Sequence, residues 1–229
     1  MSRTAYIARE QMERITERIL TDYGFDPYDK SVRPVPIEEI VEFHYDLQIC
    51  WEPIDRLDED GMVMAAIIPE RRQIILNETH RDLFDRKIGT YHFTLAHELG
   101  HWVLHAAERP HLRTGGRRSE ERADESSFVY YCRSSSRKPI EEVQADLFAG
   151  CLLMPQPMMA RAVKQLAMLG SIRLRHLYGL ADCLKVSVSA LAVRLDQLRL
   201  LHIGRDGDII KPGTESPTAV RYEQMTLDL

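Results

Sequence analysis

The sequence predicts an α+β protein, mainly helical, with one small antiparallel sheet beside a central helix and a helical subdomain at the C-terminus. Three observations lead there. Apolar residues recur at helical spacing over 8–23, 93–104, 139–154, 158–169 and 172–201. Short strand-like runs bounded by turn residues fill 47–76 instead. Between these regions, His97-Glu98-Leu99-Gly100-His101 marks the helix around which the rest is arranged.

Taken in order, 8–23 predicts an amphipathic helix with Met12, Ile15, Ile19, Leu20 and Tyr23 on one stripe and Gly24 as its stop. Residues 26–33 form a loop, and Pro34-Val35-Pro36 opens a short helix over 37–44. Its inner face is Ile37, Ile40, Val41 and His44, the last read as a core-edge histidine. A strand over 47–51 precedes a hairpin of 62–68 with 73–76, turning through Pro69-Glu70-Arg71-Arg72. Polar residues 81–87 lead into the central helix, whose Phe93, Leu95, Ala96, Leu99, Trp102, Val103 and Leu104 suit a largely buried element. Residues 107–127 lack apolar periodicity and read as a long loop. A strand-like run, 127–132, follows, then an apolar helix ending at Met154-Pro155. Beyond 158–169, the stretch 172–201 has the cadence of a helix-turn-helix, with Ser187 or Ser189 capping the second helix. Asp206-Gly207 signals a turn and 212–218 a flexible tail.

The chemistry sits on two helices. Residues four apart share a face about 6 Å apart along the axis, so His97 and His101 can reach one ion. Glu98, about 100° round, is placed to act on water as a base rather than to hold the ion. A catalytic zinc site needs three protein ligands and one open position. The longer pattern HExxHxxGxxH fails, because Leu104 and Ala107 stand where its glycine and third histidine belong. His105 lies about 12 Å from His97 along the axis, too far to share an ion, and reads as a partly exposed helix-end histidine. Glu142 is the better third ligand. Asp146, four residues on, can accept the second ring N–H of a ligating histidine. Glu141 and Glu142 also suit a helix N-terminus, and the two uses are compatible.

His97-Glu98-Leu99-Gly100-His101, the run 142–149 and Leu152-Leu153-Met154-Pro155 together resemble the ImmA/IrrE metallo-endopeptidases, over a motif-bearing core of about residues 86–155. The resemblance implies a zinc peptidase with a thermolysin-like core and ligand set: His97, His101 and Glu142 on the metal, Glu98 catalytic. It implies a substrate too, a helix-turn-helix repressor whose cleavage makes the enzyme an anti-repressor in a stress, mobile-element or defence response. The expected division is a zinc metallopeptidase domain over 1–157, a helical subdomain over 158–203 and a tail over 204–229. The segment between His101 and Glu142 is long, and the family pattern leaves its role open.

That segment carries two further expectations. Cys132, ten residues before Glu142, is a candidate regulatory fourth zinc ligand that would hold the site inactive; the alternative is a packed thiol. Arg113, Arg117, Arg118, Arg133, Arg137 and Lys138 are where an activating single-stranded nucleic acid, of the kind DNA damage produces, would bind; the alternative is a solvated loop. The net charge of −5 argues against wholesale capture of nucleic acid, so such binding must be local. Four scattered cysteines without CxxC spacing, no signal peptide and no apolar run near 20 residues predict a cytoplasmic protein off the membrane. Two rival functions remain: a DNA-binding regulator and a non-proteolytic sensor, each with a structural zinc. A structural site has no use for a base, so Glu98 separates them from a peptidase. For stabilising an oxyanion, Tyr130, Tyr131, His80 and His92 stand unranked.

Overall fold

Helix α1 spans Arg9–Tyr23 and stops where its glycine predicts, with Gly24 in the left-handed region at φ 95°. The chain is described as a computed structural model over residues 6–57, 63–106, 130–131, 139–204 and 209–210. Helix α2 (Ile37–Glu39) widens at once into a π-turn over Ile40–His44, closed by the Tyr45 N–H on the Ile40 carbonyl at 3.1 Å. That wider turn corrects the expectation for His44. Ile37, Ile40 and Val41 face inward, but one extra residue per hydrogen bond swings His44 out to solvent beside Tyr45.

Strands β1 (Gln48–Glu52), β2 (Ala65–Ile68), β3 (Gln73–Asn77) and β4 (Tyr130–Tyr131) form a sheet of order β1-β3-β2-β4. The predicted hairpin is β2–β3, with Ile67 opposite Ile74 and Arg72 in the left-handed region at φ 54°. The sheet is not wholly antiparallel, however. β1 runs parallel to β3, Trp51 opposite Leu76, so the sheet is mixed. Alternation shows which face of a strand is buried and is silent about which neighbour the strand takes. The connection after β1 carries the chain past β3 to β2, leaving β1 on the far edge.

Helices α3 (Arg81–Arg86) and α4 (Ile88–His101) follow, and α4 runs on as a second π-turn over Trp102–Ala106. The remaining helices are α5 (Ile140–Leu153), α6 (Gln156–Met168), α7 (Leu174–Leu184) and α8 (Val188–Gln197). Short strands β5 (His202–Ile203) and β6 (Ile209–Ile210) pair antiparallel, the second of them inside the stretch expected as tail. One core takes in Met12 and Leu20 of α1, Ile67 and Leu76 of the sheet, and Leu95 and Leu99 of α4. It continues without a break through Phe148 and Leu152 to Leu180, Leu191 and Leu195 of the C-terminal helices.

Helices α7 and α8 meet at 103° through Lys185, left-handed at φ 54°. Ser187 caps α8, its Oγ accepting the Ala190 N–H at 3.1 Å. This corner is pressed against the start of α4. A Cβ at Gly89 would lie 2.4 Å from the Ser187 nitrogen, closer than packed atoms approach. His92, one turn on, places Nδ1 3.2 Å from the Lys185 carbonyl. Gly89 is therefore what lets α4 sit on the corner. No single described helix is long and apolar enough to cross a membrane.

Candidate metal centre

The site forms where α4 and α5 touch. At the contact Gly100 has no side chain; a Cβ there would come within 3.1 Å of Phe148 Cδ1 and 3.2 Å of the Ala145 Cα. This close approach sets the histidine face of α4 directly against the carboxylate face of α5. His97, His101 and Glu142 are all buried, and together they form a group that could hold a metal ion. His97 Nε2 lies 3.1 Å from His101 Nε2, and each is 3.2 Å from one oxygen of Glu142.

On its other side, His97 Nδ1 lies 3.0 Å from Asp146 Oδ1. A carboxylate can only accept, so Nδ1 carries the proton and Nε2 of a neutral ring is a lone pair. That lone pair faces a carboxylate oxygen and a second imidazole nitrogen. Were the second ring to present a lone pair as well, acceptors would converge on one point, an arrangement that a cation among them relieves. A tetrahedral ion with bonds of about 2.0–2.1 Å keeps its ligand atoms about 3.3 Å apart. The contacts here, 3.1 Å between the two nitrogens and 3.2 Å from each to an oxygen of Glu142, are of that order, and the group could hold a metal ion.

Glu98 is fully buried, and neither of its oxygens makes a hydrogen bond among the described residues. The Ile67 amide approaches from β2 and favours the charged carboxylate, but without hydrogen-bond geometry. Burial pushes the Glu98 pKa up to about 8, and the Glu142 charge adds to it, against the opposing pull of His97. Burial acts on Glu142 in the same sense but loses to its contacts with His101 and His97, which hold its carboxyl at about 2. His101 is lowered, by burial first.

Two side chains join the site that spacing did not assign to it. His105 is buried at 6% exposure, not partly exposed; its Nδ1 lies 3.1 Å from His101 Nδ1 and its Nε2 3.0 Å from Gln144 Oε1. His105 stays outside the group that could hold a metal ion, as its axial separation of about 12 Å from His97 predicts, but it lies behind that group instead of at the surface. His105 is one turn from His101, and the signal was that i, i+4 pairing. Gln144 is 3% exposed, and its place beside Glu142 and Asp146 on α5 had no signal of its own.

Of the four oxyanion candidates, His92 is turned to the Lys185 carbonyl and His80 lies 3.9 Å from Asp55. Tyr130 and Tyr131 pair with Ile67 and Ala66, which lays their backbone along the strand that faces Glu98. Cys132 and the arginines at 113, 117, 118, 133 and 137 with Lys138 lie outside the described residues. The arrangement is a buried two-histidine, one-carboxylate group that could hold a metal ion, on an α+β scaffold. Compared with known protein families and with curated proteins, the chain matches none.

Proposed function

We propose that the chain is a zinc-dependent endopeptidase of the ImmA/IrrE kind, with a thermolysin-like set of two histidines and a glutamate. One observation carries this reading: the fully buried Glu98 carboxylate, without a hydrogen bond, beside the converging donors. A buried carboxylate without a hydrogen bond is expensive, and the pull of His97 and the Ile67 amide offsets only part of that cost. A base waiting for water does account for it.

His97, His101 and Glu142 would hold the zinc, which when bound supplies a Lewis acid toward a peptide carbonyl and toward water. Glu98 takes the proton from the attacking water, holds it on a carboxylate oxygen and returns it to the departing amine. Asp146 accepts the His97 Nδ1–H and so keeps Nε2 directed inward. Burial of all four groups keeps bulk water from competing for them. A helix-turn-helix repressor as substrate, and with it the anti-repressor role, rests on the resemblance of the motif-bearing residues.

The 103° corner of α7 and α8 favours a second reading, a DNA-binding regulator with a structural zinc, since helix-turn-helix units cross at about 90–120°. A reading helix, however, contacts bases through its N-terminal residues. Here that end of α8 lies against Gly89 and presents Val188, Ser189 and Ala190. The peptidase reading is the stronger.

Its test uses purified protein, metal analysis and a helix-turn-helix protein encoded beside it as substrate. About one zinc per chain is expected, lost in His101→Ala and in Glu142→Ala. Glu98→Gln should keep the zinc and cut cleavage by about 10²–10⁴-fold. Zinc-free wild type, or cleavage surviving in Glu98→Gln, sinks the reading.

A further inference from the structure

We propose that His105 and Gln144 are positioning residues for His101, a neutral relay that holds its ring ready for the metal as the Asp146 carboxylate holds His97. The proposal rests on the metal-centre reading above and adds to it two residues and a division of labour.

The protons can be placed from the contacts. Gln144 presents its amide oxygen to His105 Nε2 at 3.0 Å, and an amide oxygen only accepts, so Nε2 of His105 carries the hydrogen. A neutral His105 then has a lone pair on Nδ1. The proton in the 3.1 Å contact between the two Nδ1 atoms accordingly belongs to His101. His101 Nε2 is left as a lone pair, aimed at His97 Nε2 and Glu142 Oε1. Each bond in the line depends on the one before it. Turning the Gln144 amide over would reverse all of them and put a hydrogen on His101 Nε2, where the ion must bind.

Burial explains why the two histidines are held differently. Asp146 stands where the site meets solvent, its side chain 31% exposed, and can carry its charge there. His105 and Gln144 are sealed in the interior behind His101. A further carboxylate in that position would bury a second negative charge close to that of Glu142, at a heavy desolvation cost. An imidazole and an amide orient His101 without that charge. The π-turn over Trp102–Ala106 carries His105, one of the helix irregularities that recur at functional sites.

The experiment measures zinc affinity by chelator competition, together with ¹⁵N NMR of the histidine rings in the metal-free protein. His105→Phe, which keeps a planar ring of similar size, should weaken zinc binding by about 10–100-fold and let the His101 proton spread to Nε2. Gln144→Leu should weaken binding in the same sense. Gln144→Glu forces the acceptor role: zinc should bind at least as tightly as in wild type, while the metal-free protein melts at a lower temperature. A purely structural role would lower stability in all three variants without that opposite sign. Wild-type affinity in both His105→Phe and Gln144→Leu overturns the relay, and so does an unchanged His101 proton position. If His105→Phe fails to fold, the two Gln144 variants decide alone. If wild type binds no zinc, the peptidase reading falls, and the proton position on His101 in metal-free protein still judges the relay.

Discussion

Two buried polar clusters lie at opposite ends of α5, and they are built on opposite rules. At the C-terminal end, donors meet acceptors. Arg194, only 1% exposed, gives Nη2 to Glu13 at 2.7 Å and Nε to the Met154 carbonyl at 2.9 Å, joining α8, α1 and the end of α5. At the N-terminal end, with the protons placed as proposed, acceptors meet acceptors: the two histidine Nε2 atoms lie 3.1 Å apart, and each is 3.2 Å from a different oxygen of Glu142. The first cluster sets opposite charges against each other and welds three helices, although Glu13 Oε1 and Arg194 Nη1 are buried without a hydrogen bond among the described residues. The second gathers ligand atoms around a point that could hold a metal ion, and Glu98 beside it makes no hydrogen bond among the described residues. Burial of charge therefore does not by itself mark a functional site. Burial that leaves lone pairs facing one another does.

Substitution should separate the two clusters. Arg194→Ala strands the Glu13 carboxylate inside the protein and should destabilise the fold by about 3–5 kcal/mol in urea unfolding. Replacing both partners, Glu13→Leu with Arg194→Met, should recover most of that loss, because no charge is then left buried alone. Glu98→Gln should leave the metal-free protein as stable as wild type or more so, since it removes an unpaired carboxylate. If Glu98→Gln destabilises as much as Arg194→Ala, the distinction between the clusters is wrong.

A smaller effect is expected at the edge of the site. Asp146→Ala should weaken zinc binding by about 10–100-fold with the fold intact, as a lost partner to a ligating histidine does. Unchanged affinity with unchanged cleavage would make Asp146 an ordinary polar residue.

A further effect is a slope with pH. The Glu98 pKa in the folded chain stands near 8, above the ordinary 4.5. A raised pKa means that folding favours the protonated form, so this contribution is full below 4.5 and is lost as pH rises through 8. In chelator-treated protein the stability advantage of Glu98→Gln over wild type should widen across that window. A gap that is the same at both ends would show that burial does not govern Glu98.

Much of this was legible from short spacings. The α1 stripe and its stop at Gly24, the β2–β3 hairpin, the Ser187 cap and the pairing of His97 with His101 all lie within a few residues of one another. Helical and strand periodicities act at that range, and sequence reports them directly. Glu142 stood out as a candidate, but that it and not Glu141 meets both histidines depends on the rotation of α5 about its axis. Packing sets that rotation, through the absent side chain of Gly100 against Ala145 and Phe148.

The sequence by itself determined which residues could serve, and on which helix faces they stand. Tertiary structure decided the rest. It laid β1 parallel to β3, turned His44 outward on a π-turn, drew His105 and Gln144 in behind His101, and seated α4 on the corner of α7 and α8 through Gly89. The physical reason is range. These outcomes follow from contacts between segments far apart in the chain, whose energies depend on shape and burial once the segments meet. No local pattern carries that information.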